Sequence, residues 1–416
     1  MEEKKELCKK LRAWDPLLFM DEDILHRESK FVDHFYDLIE NSVQPPYVIS
    51  VDGLWGTGKT MVMQLLKKKL EDGNYPVFWF NPWKYRQTEN VVMAFLQQIA
   101  AEYKESIPKS TGRILNFLLQ PGMDAGLRMI TGGFVTLNDV KAALSKLLGE
   151  NPLKNYRNII GKIEEEFKEL IDKVSEDKGG KPVIIFLDDL DRCSPEATIQ
   201  LLEALKNLFV VSDCKTIFIC GIDTHIAKKF ISRHYDGLDE IFSIIYFRKI
   251  FNLTISMPYS PHIGKLLEKH IKGLYEWDDP KNEKAELLAT LLQTRGDKAK
   301  IYSIREYLNI VSNFYLFLKF NPEYVFPSVS DEGKENDFIV NLLILKEAWH
   351  PLYEKLITES LRKPSADMKE LTDSLIKQDE KLPPERSEFL MNYLGENSPF
   401  AEEILSLWMT KYQTLA

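Results

Sequence analysis

Eight consecutive residues, from Gly53 to Thr60, carry the clearest chemical signature in the sequence. They spell GLWGTGKT and fit the phosphate-loop pattern GxxxxGK followed by Ser or Thr. Glycines let successive backbone N–H groups turn toward a phosphate, Lys59 can bridge the β- and γ-phosphates, and the Thr60 hydroxyl can bind Mg²⁺. We therefore predict a site for ATP and Mg²⁺ whose loop residues are Gly53, Trp55, Gly56, Thr57, Gly58, Lys59 and Thr60.

A magnesium ion held by one hydroxyl and by phosphate oxygens still needs a protein carboxylate, and Asp188 can supply it. It follows Val183–Leu187, a wholly apolar run that is typical of a strand buried in a parallel sheet. Asp189 comes next and is a candidate for the acid that polarises the attacking water. Asp191 competes for that role, and it could instead form a structural ion pair with Arg192.

Three further polar residues each have two interpretations. Asp223 follows another apolar run and could either contact the γ-phosphate or cap the next helix. Arg305 lies in the first turn of a helix that starts with a capping box, Ser303 and Glu306, where a cation opposes the helix dipole. Arg305 could therefore neutralise phosphate charge, and so could Arg248, which precedes the last predicted strand. Both could instead be surface cations, Arg305 being paired with a nearby acid.

Predicted strands and helices alternate around these residues, as they do in an α/β protein. The patterns predict strands at 47–51, 77–80, 183–187, 216–220 and 251–257, and helices at 29–39, 60–70, 91–103, 155–174, 224–231 and 304–318, with one more helix starting at Ser194 and Pro195. We predict an α/β fold with a parallel sheet, and we divide the chain into four parts. They are a leader with the first half of a nucleotide-binding core (1–103), a helical insertion (104–180), the second half of the core (181–258) and a C-terminal helical domain (259–416).

The composition excludes several other classes of protein. With 44% hydrophobic and 28% charged residues among 416, the chain is globular rather than disordered. Four cysteines without CxxC spacing argue against a disulfide scaffold and a zinc site, and they favour the reducing cytoplasm. A net charge of −9 disfavours nucleic acid as a partner, although a local basic groove is compatible with it. No apolar run approaches the roughly twenty residues that cross a bilayer, so we expect no membrane association.

Several segments together resemble the KAP family of P-loop ATPases. They are GLWGTGKT (53–60), FWFNPWKYR (78–86), VIIFLDDLDRCSPE (183–196), TIFICGID (216–223) and YFRKIFNLTISMP (246–258), with weaker likeness at 303–313 and 342–356. The resemblance implies a RecA/AAA-like sheet with an additional strand and a helical lid, and nucleotide and metal roles for Lys59, Thr60 and Asp188. The chain departs from the family in two ways. Many members carry membrane-spanning helices between the phosphate loop and the Asp-Asp strand, and residues 104–180 contain no such span. Members usually also have an acidic residue in the segment where this chain has Arg248.

These features favour an ATP-hydrolysing switch whose nucleotide state controls a protein partner or self-assembly into a homo-oligomer. A small-molecule kinase is disfavoured because few arginines surround the predicted lid helix. The sequence is also compatible with a nucleic-acid-dependent motor and with a scaffold that binds ATP without hydrolysis. Bacterial members of the family are associated with phage exclusion, so the resemblance makes anti-phage defence one implied setting.

Overall fold

The computed structural model describes residues 26–85, 91–107, 115–116, 156–235, 240–257, 263–275, 283–301, 303–321, 324, 334–363, 366–378 and 382–395. These residues form two compact units, one ending at Met257 and one from Ile263 onward. Much of the predicted helical insertion, residues 108–114 and 117–155, lies outside the described residues.

A parallel five-stranded sheet forms the centre of the first unit. Its strands are β1 (Tyr47–Asp52), β2 (Val77–Phe80), β3 (Val183–Leu187), β4 (Thr216–Ile222) and β5 (Leu253–Ser256). They are ordered β2-β3-β4-β1-β5, and every neighbouring pair is parallel. The predicted α/β class is confirmed, and β4 is the additional strand between β1, which precedes the phosphate loop, and β3, which precedes Asp188.

Helices connect the strands and pack on both faces of the sheet. They are α1 (His26–Asn41), α2 (Lys59–Asp72), α3 (Val91–Glu102), α4 (Tyr156–Asp177), α5 (Pro195–Ala204), α6 (Thr224–His234) and α7 (Glu240–Ile250). The start of α5 is the predicted one, because the Ser194 side chain accepts a hydrogen bond from the Ala197 N–H at 3.2 Å and Pro195 is the first helical residue.

The alternation of side chains along β3 explains how one strand serves two cores. Ile184 and Phe186 pack with residues of α1 and α2 on one face, whereas Ile185 and Leu187 pack with residues of α3 to α7 on the other. All four side chains are fully buried. A strand covered on both faces needs apolar residues at every position, which is why this segment reads as an unbroken apolar run.

Among its described residues, the second unit is helical. Its helices are α8 (Ile263–Leu274), α9 (Glu283–Lys298), α10 (Ile304–Phe320), α11 (Lys334–Ala348), α12 (His350–Arg362), α13 (Met368–Gln378) and α14 (Pro384–Leu390). In both units, the helices that the structure describes are too short or too polar to cross a membrane.

Candidate nucleotide site

The carboxyl ends of four parallel strands bring the start of the phosphate loop and three polar residues to one edge of the sheet. Gly53 follows β1, Asn81 follows β2, Asp188 follows β3 and Asp223 follows β4. In open α/β sheets this edge is where ligands bind, because the loops there diverge and leave a crevice. The candidate residues of the phosphate loop and of the Asp-Asp segment therefore meet here.

The phosphate loop owes its shape to its glycines. Gly56 and Gly58 have φ angles of 80° and 95°, in the left-handed region that side chains with a Cβ rarely adopt. At Gly53 an added Cβ would lie 2.8 Å from the Thr57 Oγ1 atom, so the backbone can approach this side chain only without one. Because α2 starts at Lys59, the positive end of its dipole faces the loop.

Lys59 lies at the mouth of the loop with 9% of its surface exposed. Its Nζ donates hydrogen bonds to the carbonyl oxygens of Gly53 at 2.5 Å and Leu54 at 3.2 Å. The same nitrogen is 3.8 Å from the Asp191 Oδ2 atom. A buried ammonium that faces the loop is suited to bind the charge of a phosphate group.

Asp188 and Thr60 form the candidate metal site. The Thr60 hydroxyl donates to Asp188 Oδ1 at 3.3 Å, and the Asp189 N–H donates to the same oxygen at 3.0 Å. Asp188 is 2% exposed. Burial, and secondly the charge of Asp189, raises the pKa of Asp188 to about 7, while the Thr60 hydroxyl opposes this shift.

The chemistry of this pair fits a divalent cation. A hydroxyl and a carboxylate are the hard oxygen donors that Mg²⁺ prefers, and a cation would offset the cost of burying the Asp188 charge. Within the described part of the chain, no group of three or more His, Cys, Asp or Glu side chains could hold a metal ion. A cation at Thr60 and Asp188 would therefore complete its ligand shell with nucleotide oxygens or water.

Gly221 gives Asp188 its space. A Cβ at this position of β4 would lie 2.9 Å from Asp188 Oδ1 and 2.8 Å from Met63 Sδ. Neither neighbour can retreat easily, because Asp188 and Met63 are both buried. Sequence reasoning missed this residue and ended the strand at Cys220, one residue before it.

We expect Gly221→Ala to lower the free energy of unfolding by about 1–3 kcal/mol, as overpacking does in a dense core, and to weaken divalent-dependent nucleotide binding. Chemical denaturation and nucleotide titrations measure the two effects. Gly161→Ala is the matched control, because a Cβ on this glycine of α4 meets nothing within 4 Å; it should be neutral or stabilising. Equal behaviour of the two variants would contradict the role of Gly221.

Asp189 is held by two partners. Its backbone has φ 59°, an unusual conformation for a residue other than glycine. Its Oδ1 accepts from Arg192 Nε at 2.9 Å, and its Oδ2 accepts from Asn81 Nδ2 at 3.0 Å. Arg192 is thus paired with Asp189 and not with Asp191. Sequence reasoning missed Asn81, although its position directly after β2 was a signal.

Asp191 faces the phosphate loop from within the protein. Only 2% exposed, it uses Oδ2 to accept hydrogen bonds from Trp55 Nε1 at 2.7 Å and from the Asp223 N–H at 3.0 Å. Burial raises the pKa of Asp191, and the charge of Lys59 is the largest opposing influence. This acid is therefore a neighbour of the loop, whereas Asp189 is fixed by groups outside it.

Asp223 acts as a helix cap. Its Oδ1 accepts from the backbone N–H groups of His225 at 3.0 Å and Ile226 at 3.3 Å, the first turn of α6. Of the two interpretations of this residue, capping is the one that the geometry displays, and contact with a γ-phosphate stays a prediction.

The two candidate arginines are both exposed. Arg248 lies in the last turn of α7, a helix that the sequence patterns did not predict, and it precedes the last strand as expected. Arg305 lies in the first turn of α10, where the Ser303 N–H donates to Glu306 Oε2 at 3.2 Å as one half of the predicted capping box. The described residues place no carboxylate in an ion pair with either arginine.

Comparison with known proteins decides the family. The model of the KAP family P-loop domain matches residues 28–324. The chain belongs to the KAP family. It is therefore a nucleotide-binding P-loop NTPase, and the fold and loop described above are those of its KAP domain.

This KAP protein also shows distant similarities. An uncharacterized protein of Methanocaldococcus jannaschii is 24% identical over 34% of this chain and 88% of its own length. Among solved structures, the chain is similar to the Aeropyrum pernix ORC2 protein, with 11% identity and a TM-score of 0.36; the match covers 99% of this chain and 97% of the other. Cdc6p from Pyrobaculum aerophilum is 14% identical, with TM-score 0.42 and coverage of 98% and 99%. The Aeropyrum pernix ORC1 protein, in complex with DNA, is 14% identical, with TM-score 0.35 and coverage of 95% and 100%.

Proposed function

We propose that this KAP protein hydrolyses ATP with Mg²⁺ and acts as a switch whose nucleotide state controls self-assembly or a protein partner. The observation that carries the proposal is the convergence of Lys59, the Thr60–Asp188 pair and Asp189 at one sheet edge. Each supplies one requirement of phosphoryl transfer to water: a cation for the phosphates, oxygen ligands for Mg²⁺, and a carboxylate for the attacking water.

Asp189 suits the last role better than Asp191 does. Both Asp189 oxygens are oriented, by Arg192 at 2.9 Å and by Asn81 at 3.0 Å, and the side chain is only partly buried, so water can reach it. Asp191 is almost fully buried, and its Oδ2 is engaged by Trp55 and a backbone N–H. In our proposal Asp189 accepts a hydrogen bond from the water that attacks the γ-phosphate.

Phosphate release by the purified chain tests the proposal. We expect release from ATP with Mg²⁺ and none with excess EDTA. ATP binding without release would favour a scaffold that binds ATP without hydrolysis. Release that requires added DNA or RNA would favour a nucleic-acid-dependent motor.

The exposed arginines extend the proposal to self-assembly. A site with one lysine and one cation leaves charge on the γ-phosphate in the transition state, and an arginine from a second copy can neutralise it. Arg248 and Arg305 are candidates because both are exposed and outside any described ion pair. Bacterial anti-phage defence is the setting that we propose from the family resemblance.

We expect ATP to promote self-association, and Arg305→Ala or Arg248→Ala to lower turnover by about tenfold, the effect of losing roughly 1.4 kcal/mol of transition-state stabilisation. Light scattering with a slowly hydrolysed ATP analogue and turnover assays measure both. Arg233→Ala, an exposed arginine in the last turn of α6, is the control. A particle that stays monomeric with nucleotide, together with wild-type rates in both variants, would refute the proposal.

A further inference from the structure

Trp55 occupies a position that the phosphate-loop pattern leaves unrestricted, so the pattern does not explain a tryptophan there. Half of its surface is exposed. Its polar atom nevertheless points inward, because the indole Nε1–H donates to Asp191 Oδ2 at 2.7 Å. The partners are 136 positions apart in the sequence, so this contact joins two separate parts of the site.

The carboxylate that Trp55 binds has three neighbours. Asp191 Oδ2 accepts from Trp55 and from the Asp223 N–H at 3.0 Å, and it lies 3.8 Å from Lys59 Nζ. One oxygen thus connects the tip of the loop, the phosphate-binding lysine and the start of α6. A hydrogen bond to an ionised group is stronger than one between neutral groups, which makes this contact suited to hold the loop in place.

A second contact fixes the base of the loop to the same helix. Asp52, the last residue of β1, accepts a hydrogen bond from the Thr224 N–H at 2.9 Å through Oδ1. The loop is therefore attached to the N-terminal end of α6 at its base by Asp52 and at its tip through Trp55 and Asp191. With the base fixed by the sheet, the Trp55 hydrogen bond joins the exposed tip of the loop to the Asp-Asp segment.

We propose that Trp55 is a positioning residue of the phosphate loop. Its indole N–H holds the loop tip on Asp191, and it thereby keeps Asp191 beside Lys59 and the loop amides turned toward the phosphates. The proposal rests on the nucleotide binding proposed above. Trp55 acts through Asp191 and the loop backbone, so it is not a catalytic residue.

The variant that isolates this contact is Trp55→Phe, which keeps an aromatic ring and removes the N–H donor. We expect the dissociation constant for ATP with Mg²⁺, measured by calorimetry, to rise by about tenfold, as expected for loss of one charge-assisted hydrogen bond. Trp79→Phe is the matched control, because Trp79 stacks on Phe186 at 5.1 Å on another part of the sheet. It should bind ATP within about twofold of wild type.

A double-mutant cycle separates positioning from general weakening of the fold. In an Asp191→Asn background, Trp55→Phe should cost less than about threefold in affinity, because a neutral carboxamide is a weaker acceptor than a carboxylate. Wild-type affinity in Trp55→Phe, or effects of the two substitutions that simply multiply, would overturn the proposal.

A measurement without nucleotide tests the contact itself. The indole ¹H–¹⁵N resonance of Trp55, assigned by its loss in Trp55→Phe, should shift in Asp191→Asn. An unchanged resonance would overturn the proposal whether or not the protein binds ATP. If the resonance shifts in Asp191→Asn but the wild-type protein binds no ATP, the proposed function is overturned and, with it, the role of Trp55 in nucleotide binding.

Discussion

Lys59→Ala is expected to weaken binding of ATP by about a hundredfold or more. The variant removes an ammonium group that is 9% exposed and faces the phosphate loop, and it leaves Asp191 Oδ2 without the cation that lies 3.8 Å away. The phosphates would lose their closest fixed cation and meet an unneutralised buried carboxylate. Contacts to charged groups of this kind are worth about 1.5–3 kcal/mol, and the added repulsion increases the loss.

Calorimetric titration with ATP and Mg²⁺ measures this loss, and denaturation shows whether the variant is folded. Lys68→Ala is the matched control, because Lys68 lies on the same helix, α2, with an exposed side chain. Its removal should change neither affinity nor stability appreciably. Tight ATP binding by Lys59→Ala would show that the nucleotide site does not depend on this loop.

Asp189→Asn is expected to lower turnover by about 10²–10⁴-fold and to leave ATP affinity within a few-fold of wild type. A carboxamide can keep the hydrogen bond from Asn81 or the contact with Arg192, but it cannot accept a proton from the attacking water. Because the described partners of the Asp189 carboxylate, Asn81 and Arg192, lie outside the phosphate loop, binding should be preserved. Steady-state phosphate release and equilibrium titration give the two quantities.

Asp191→Asn provides the comparison for Asp189. Since Asp191 contacts Trp55 and lies near Lys59, its neutral variant should lose affinity more than turnover at saturating ATP. The opposite pattern, with wild-type turnover in Asp189→Asn and loss of turnover in Asp191→Asn, would assign the water-polarising role to Asp191.

The strands were the most predictable part of this fold, and the difference at β4 has a physical cause. The ends of β2 and β3 were predicted to the residue, because their apolar runs stop at polar or turn-forming residues. β4 runs two residues beyond its predicted end, through Gly221 to Ile222. Glycine usually weakens a strand, but here its missing side chain leaves room for Asp188.

The candidate site was only partly predictable, because sequence patterns report neighbours along the chain. Lys59, Thr60 and Asp188 could be proposed from the sequence because each stands in or next to a strand or loop with a recognisable pattern. The partners Asn81 and Asp189 are 108 positions apart, so no local pattern could show that they meet. The helix that contains Arg248 was missed for a different reason, because its apolar residues lack clear helical periodicity.

The acidic sheet edge has a consequence for how fast nucleotide is captured. Asp52, Asp188, Asp189, Asp191 and Asp223 all lie near the loop, in a chain with a net charge of −9. Three of them accept hydrogen bonds from backbone N–H groups at the start of α6: Asp191 from Asp223, Asp52 from Thr224, and Asp223 from His225. These bonds orient the three carboxylates. Because the net charge of the chain is −9, a polyphosphate approaching from a distance is not attracted by the long-range field of the protein. Nucleotide capture then depends on fit at contact distance, and salt that screens the repulsion does not slow it.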